Sequence, residues 1–497
     1  MTIVHDSVER IDVEAVNRKE TRSLYEARVK IFPRRGYGSF RTLKWWVMAV
    51  TLAIYYVTPW LRWDRGPHAP DQAVLVDLAN RRFYFFFIEI WPQEFYYIAG
   101  LLIMAGVGLF LVTSTVGRAW CGYTCPQTVW VDLFLVVERF IEGDRNARIK
   151  LDKAPWTFDK IRKQVAKHAL WILIAMSTGG AWIFYFADAP TLALDFIRFE
   201  APAVAYTTVG ILTATTYVLA GFMREQVCTY MCPWPRIQAA MLDEDSLTVT
   251  YNDWRGEPRS RHHKRQEQAG VAVGDCVDCN ACVAVCPQGI DIRDGQQLEC
   301  ITCALCIDAC DTIMDKVGKP RGLISYSTLT DYASNKAGKP APATWRSFIR
   351  PRTVVYVAVW SVVGLAMLAV LLTRSRLDVN VLHDRNPVFV QLADGSVRNG
   401  YTVKILNMLP EPRTFRLAID GLPGATMTRA GSDAADAAVI DVPVDPDTVG
   451  SMKIYVRAEP AGLAAVRSSF TFQVTEIGGR GEAASYEANF EVPGGGK

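Results

Sequence analysis

DCVDCNACVAVCP (275–287) and ECITCALCIDACD (299–311) are the stretches on which the reading of this chain turns. They spell Cys276-x2-Cys279-x2-Cys282-x3-Cys286-Pro287 and then Cys300-x2-Cys303-x2-Cys306-x3-Cys310. This is the spacing of bacterial two-cluster iron–sulfur proteins, in which the fourth Cys of each run binds the other run's cluster. Three thiolates two residues apart wrap one face of a cubane and leave one iron for a distant Cys. The spacing therefore assigns Cys276, Cys279, Cys282 and Cys310 to one [4Fe–4S] site, and Cys286, Cys300, Cys303 and Cys306 to a second. Pro287 follows the first run, whereas Asp311 follows the second, which removes no ligand. CxxC pairs also bind zinc, but two complete runs in tandem favour iron–sulfur.

All 12 Cys of the 497 residues lie between Cys121 and Cys310. A disulfide scaffold would spread its cysteines through an exported domain, so this clustering points to metal ligation in a reducing compartment. The net charge of +3 does not suggest nucleic acid as a partner. The polar N-terminal arm lacks the apolar core of a cleaved signal peptide and is expected to stay in the cytoplasm.

Five apolar segments approach the ~20 residues that cross a bilayer. They are residues 45–62, 95–116, 168–187, 202–222 and 353–372. Lys and Arg are dense in the N-terminal arm and after the second segment, while the loop between the third and fourth carries only Arg198. Positive charge marks the inner side, so the N-terminus is expected inside and, with five spans, the C-terminus outside. Every Cys then falls on or next to the inner face. Residues 130–141 are too short to span and contain Asp132, Glu138 and Arg139, which suggests an amphipathic helix on the inner surface. Phe83–Ile90 reads as an interfacial segment or hairpin.

After residue 376 the pattern changes to short β-rich runs, 388–392, 401–406, 414–419, 452–458, 469–475 and 486–492, separated by turn pairs such as Asn399-Gly400 and Asp420-Gly421. Runs at this spacing predict a β-sandwich of immunoglobulin type, with Gly494–Lys497 as a frayed end.

A second cysteine motif occurs twice. Cys121-Gly-Tyr-Thr-Cys125-Pro126 follows the second apolar segment, and Cys228-Thr-Tyr-Met-Cys232-Pro233 follows the fourth, with Arg118 and Arg224 just upstream. The duplication suggests four thiols facing one place. Soft sulfur ligands select Cu(I), zinc or iron–sulfur, and Met231 would reinforce copper; buried structural cysteines or a redox dithiol are the alternatives. No pair of His suits a haem, and no Gly-rich dinucleotide fingerprint is present. The electron donor must come from elsewhere. The basic stretches Arg255–Arg265 and Lys316–Arg321 could dock an acidic donor or anionic lipid, or be solvated loops.

Taken together, these features resemble the CcoG/FixG/Rdx family of cytochrome c oxidase accessory proteins. The likeness rests on the apolar segments, both CxxxCP motifs, the eight-Cys block, and a tail with Asn399-Gly400-Tyr401 and Lys404-x2-Asn407. The expected fold is a multi-domain membrane protein. It has a helical bundle of about five spans, an inserted two-cluster ferredoxin-like α+β domain and a C-terminal all-β immunoglobulin-like sandwich. Its expected divisions are an N-terminal arm (1–43), a four-span region (44–250), a ferredoxin region (251–350), a fifth span (351–375) and a periplasmic domain (376–497).

The resemblance implies a multi-pass protein of the bacterial inner membrane that helps to build the cbb3-type oxidase. It further implies an oxidoreductase that reduces Cu(II) to Cu(I), with Cys121, Cys125, Cys228 and Cys232 at the copper step. Implied partners are a cytoplasmic electron donor and oxidase assembly factors or copper chaperones. Competing readings are a quinol-linked electron conduit and an assembly scaffold.

Overall fold

The computed structural model describes residues 8, 10–17, 29–261, 266, 270–339, 348–432, 436–459, 466–479 and 481–493. The expected frayed end Gly494–Lys497, His262–Arg265 of one basic stretch and residues 1–7, 9 and 18–28 of the N-terminal arm lie outside them. The chain divides into two compact units, residues 1–61 with 72–367, and residues 62–71 with 368–497.

The first unit is mainly helical. Its leading elements are α1 (Ser39–Val57), a three-stranded antiparallel sheet of β1 (Val74–Asp77), β2 (Arg82–Phe85) and β3 (Ile88–Ile90), then α2 (Tyr96–Val116), α3 (Ala119–Tyr123) and α4 (Pro126–Glu142). There follow α5 (Arg145–Lys153), α6 (Phe158–Ile183), α7 (Ala189–Arg198), α8 (Ala203–Thr216) and α9 (Trp234–Met241). The expected hairpin at 83–90 is thus the β2–β3 pair.

Among the described residues, three helical stretches are long and apolar enough to cross a membrane: Pro92–Val116, Ala203–Met223 and Pro351–Thr373. The segments expected at 45–62 and 168–187 fall on α1 and α6, both helical, but each begins among cations. Arg41 and Lys44 open α1, and Lys160 and Lys167 precede the apolar half of α6.

The α4 helix departs from its expected surface position. Asp132 and Glu138 are buried along with Val129, Phe134 and Leu135. Asp132 pairs with Arg41 at 2.9 Å and Lys44 at 3.6 Å. Glu138 pairs with both Arg148 and Arg224. Burial pushes each carboxyl up, but Lys44 and Arg41 around Asp132, and Arg224 and Arg148 around Glu138, outweigh it and hold both below the ordinary carboxylate range. The polar face that suggested a surface helix instead meets cations from α1, α5 and the segment after α8.

The cysteine block is closed off by a two-stranded antiparallel ribbon, β4 (Thr248–Tyr251) with β5 (Ile324–Ser327), one strand on either side of it in sequence. Between them lie α10 (Ala281–Val285) and α11 (Leu305–Val317). Their apolar faces, with Val249, Tyr251 and Ile324 of the ribbon and Leu323 just before it, form one core that includes Cys276, Cys282 and Cys310.

The second unit is a two-sheet sandwich. One sheet has the order β10 (Thr426–Arg429), β12 (Thr448–Ala458), β8 (Val397–Asn407), β6 (Leu377–His383), with β7 (Val390–Gln391) also on β8. The other is β11 (Val439–Val444), β9 (Arg413–Asp420), β13 (Arg467–Glu476), β14 (Ala483–Glu491). Alternate residues of both sheets, among them Tyr401, Val403, Ile405, Phe415, Leu417, Phe472 and Phe490, fill a single core. Strands β6, β10 and β11 were not anticipated from sequence.

Candidate metal centre and thiol site

Both cysteine runs adopt the same local backbone. In each, the second and fourth residues after the leading Cys are left-handed: Asp278 (φ 48°) and Asn280 (φ 57°) after Cys276, Thr302 (φ 55°) and Ala304 (φ 59°) after Cys300. Asn and Asp tolerate this region, but Thr and Ala do not adopt it without cost. Alternating handedness turns successive backbone N–H groups inward and makes a concavity suited to an electron-rich group. A helix then begins at once, α10 after the first run and α11 after the second.

The fold sorts the eight thiols into two cavities. One is lined by Cys276, Cys279, Cys282 and Cys310 against Tyr251, Met314 and Leu323. The other is lined by Cys286, Cys300, Cys303 and Cys306, and Cys282 lines it as well. Among the described residues, no three His, Cys, Asp or Glu converge closely enough to hold a single ion. Four thiols lining each cavity are a donor set that fits a [4Fe–4S] group. Burial pushes the thiols of Cys286 and Cys310 up to about 12 and that of Cys300 to about 11, and lifts Cys282 and Cys306 well above an ordinary thiol. Metal must therefore displace protons when it loads.

The N-terminal arm covers part of the first cavity, a role the sequence did not signal. The Ile11 N–H donates to the Cys279 carbonyl at 3.0 Å, and Arg34 N–H to the Ala284 carbonyl at 2.7 Å. Val13, Ala15 and Phe40 pack onto the same core. Asp308 on α11 accepts from the Phe40 and Arg41 N–H groups, at 3.2 and 2.7 Å, and so satisfies the start of α1.

The two CxxxCP motifs share a backbone form. In each, the second Cys N–H donates to the carbonyl of the residue just before the first Cys: Cys125 to Trp120 at 2.9 Å, Cys232 to Val227 at 2.8 Å. This five-residue closure is π-type; Pro126 then opens α4 and Pro233 caps the start of α9. The paired cysteines are therefore not one regular α-helical turn apart. Cys121, Cys125 and Cys232 all lie near enough to Cys228 to disfavour its thiolate. Burial is the larger cause, and together they push Cys228 up to about 12. Burial also raises Cys121, while Arg118 works against the rise.

The first motif sits directly on the second cavity. Cys121 packs in one cluster with Ile301, Cys303, Leu305 and Cys306. Gly122 lies against the loop so closely that a Cβ there would be 2.7 Å from the Ile301 carbonyl oxygen and 3.0 Å from the Cys303 Cα. Tyr123 donates to the Cys303 carbonyl at 3.3 Å. Gln238 on α9 joins the halves of the repeat: its Oε1 accepts from the Cys121 Sγ at 3.2 Å and from Arg118 Nε at 3.3 Å. Nothing in the sequence pattern marked Gln238.

Fold and site together define a membrane-associated protein with ferredoxin-type 4Fe–4S domains and an immunoglobulin-like tail. The profile of a "4Fe-4S dicluster domain" matches residues 223–329, a "4Fe-4S binding domain" profile matches residues 98–141, and the "IG-like fold at C-terminal of FixG" matches residues 367–493. The chain is 63% identical to "Nitrogen fixation protein FixG" of Rhizobium meliloti, over 98% of each chain. It is 54% identical to "Protein RdxA" of Cereibacter sphaeroides over 94% of this chain and 98% of that one, and 56% identical to "Protein RdxB" over 88% and 91%. A crystal structure of a FixG-related protein from Vibrio parahaemolyticus aligns with 24% of this chain and 96% of its own, at 21% identity and a TM-score of 0.20. The chain belongs to the FixG/Rdx family.

Proposed function

We propose that this protein is a membrane-bound electron-transfer protein that supports assembly of a cbb3-type cytochrome c oxidase by reducing Cu(II) to Cu(I). In this reading five segments span the bacterial inner membrane, the region 251–350 is cytoplasmic and 376–497 periplasmic. Cys276, Cys279, Cys282 and Cys310 hold one cluster, and Cys286, Cys300, Cys303 and Cys306 the other. When bound, two [4Fe–4S] clusters supply one-electron reduction.

The observation that carries the reading is the packing of Cys121 on the buried cluster of Ile301, Cys303 and Leu305. It joins the duplicated thiol motif to the iron–sulfur cradle without an intervening domain. Cys121, Cys125, Cys228 and Cys232 present soft sulfur, which favours Cu(I) over Cu(II). A Cu(II) substrate gains one electron there and leaves as Cu(I). The test is Cu(I) production by the purified protein with a reduced donor. A variant with these four cysteines changed to Ser, iron content intact, should lose it; normal copper reduction by that variant refutes the thiol step.

A quinol-linked conduit is the second reading. A cavity of about 160 Å³, lined in part by Glu138, His168, Trp171, Phe222 and Arg224, favours it. That is the size of a cavity that accepts one aromatic ring. Quinone-dependent turnover with no response to copper would decide for it.

A further inference from the structure

The two cysteine cavities differ in what covers them. The one lined by Cys300, Cys303 and Cys306 is capped by α3, through Cys121, Gly122 and Tyr123. The loop of the other, Cys276–Cys279, carries a rim of cations drawn from four separate stretches of chain. Asp275, just before Cys276, is held by Arg255 at 2.5 Å and Lys319 at 3.1 Å. Asp278, between Cys276 and Cys279, is held by Arg10 at 3.6 Å, Arg261 at 3.2 Å and Arg293 at 3.0 Å.

Five cations thus converge on two carboxylates, and among the described residues only Arg293 of the five has a further acidic partner, Asp291. Arg10, Arg261 and Lys319 stand outermost, at 40%, 56% and 26% exposed against 18–19% for the carboxylates, whereas Arg255 and Arg293, at 17% and 7%, are held at the same depth or deeper. Arg255 also donates to the Arg321 carbonyl at 2.9 Å, which ties the Lys319–Arg321 turn to the same place. Arg255 and Arg261 of one basic stretch and Lys319 and Arg321 of the other are therefore gathered at one place, beside the run that begins at Cys276.

We propose that this rim docks an acidic, water-soluble electron-carrier protein, so that electrons enter beside Cys276–Cys279 and the thiol motif at Cys121 stands on the far, exit side. The proposal rests on the iron–sulfur reading above and adds to it the partner class and the entry face. Charge complementarity is the argument: a cationic rim around a redox site raises the encounter rate of an anionic partner and fixes its orientation.

The experiment uses the full-length protein in detergent and an oxidised plant-type [2Fe–2S] ferredoxin as the acidic probe, with binding measured at rising ionic strength. Wild type should bind, with affinity falling steeply as salt screens the rim. The pair Arg261→Glu with Lys319→Glu should weaken binding about tenfold or more at low salt, whereas Arg261→Lys with Lys319→Arg should stay within about twofold. Iron content and paramagnetic signals of each variant check that the cradle is intact. Arg321→Glu, an exposed position, repeats the test should the pair lose iron.

Ferredoxin binding that ignores salt, or that survives charge reversal, overturns the proposal. So does a rim that binds phosphatidylglycerol vesicles but not ferredoxin. Wild-type protein that holds no iron would instead refute the iron–sulfur reading, whatever the binding result.

Discussion

Replacing Gly122 by Ala isolates the contact that joins the thiol motif to the iron–sulfur cradle. The added Cβ would sit 2.7 Å from the Ile301 carbonyl oxygen, 3.0 Å from the Cys303 Cα and 3.1 Å from the Cys303 nitrogen. An ordinary carbon–oxygen contact is about 3.3 Å or more, so something must move by about 0.6 Å. The opposing atoms are all backbone. That backbone is itself pinned, because Tyr326 donates to the Thr302 carbonyl at 2.6 Å and Thr302 and Ala304 are both left-handed. The segment that yields is α3, and Cys121 moves with it.

Overpacking of this kind costs about 1–3 kcal/mol, which is roughly 5- to 150-fold in the ratio of docked to undocked α3. Hydrogen exchange reads that ratio directly. Amides of residues 119–125 and 300–306 should exchange faster by that factor in Gly122→Ala, while Gly106→Ala, where no atom lies within 4 Å of the new Cβ, should leave them unchanged. Copper reduction should fall with docking, with iron content retained. Wild-type exchange rates in both segments of Gly122→Ala would refute the claim that this contact seats the thiol motif.

Cys310→Ser should remove the same paramagnetic signal as Cys276→Ser, and Cys286→Ser the same one as Cys300→Ser, each variant keeping about half the iron; pairing by run instead would contradict the two cavities. Glu138→Gln should destabilise the first unit by about 3–5 kcal/mol, because the buried Arg224 loses its carboxylate and Arg148 keeps only Glu142 at 3.7 Å, as thermal unfolding in detergent would reveal. The same pair sets a pH dependence. The folded Glu138 carboxyl is held below its ordinary value, so its contribution is full above about pH 4.5 and is lost as pH falls through the folded value. The stability gap between wild type and Glu138→Gln should therefore close in acid, and a gap that widens in acid would count against the pairing. Ala304→Val should lose the second cluster, since a β-branched side chain in the left-handed region adds roughly 1–2 kcal/mol of strain at a buried site, whereas Ala304→Gly should keep both, as iron analysis would show.

The strongly periodic parts of this protein are legible in its sequence. Eight cysteines at fixed intervals, two copies of CxxxCP, long apolar runs and alternating β-rich segments are local patterns, and each is imposed by a local requirement: cluster geometry, backbone closure, bilayer thickness, the two faces of a strand. Other elements carry no such mark. Strands β6, β10 and β11 lie between or before the runs that stand out, and their burial comes from partners far along the chain. The α4 helix shows the limit most clearly. Asp132 and Glu138 look like a solvated face because sequence does not reveal that Arg41, Lys44, Arg148 and Arg224 meet them.

Sequence by itself therefore determined the family, the kinds of element and the chemistry of the donor atoms, because spacing along the chain already dictates those. Only the tertiary structure decided what those donors stand beside. It set Cys121 and Gly122 on the Cys300–Cys306 loop, laid the N-terminal arm over the Cys276 run and gathered cations from four stretches of chain around Asp275 and Asp278. Contacts such as that of Phe40 with Asp308, 268 positions apart, are settled by packing and charge compensation across the whole unit, and no window of sequence contains both partners.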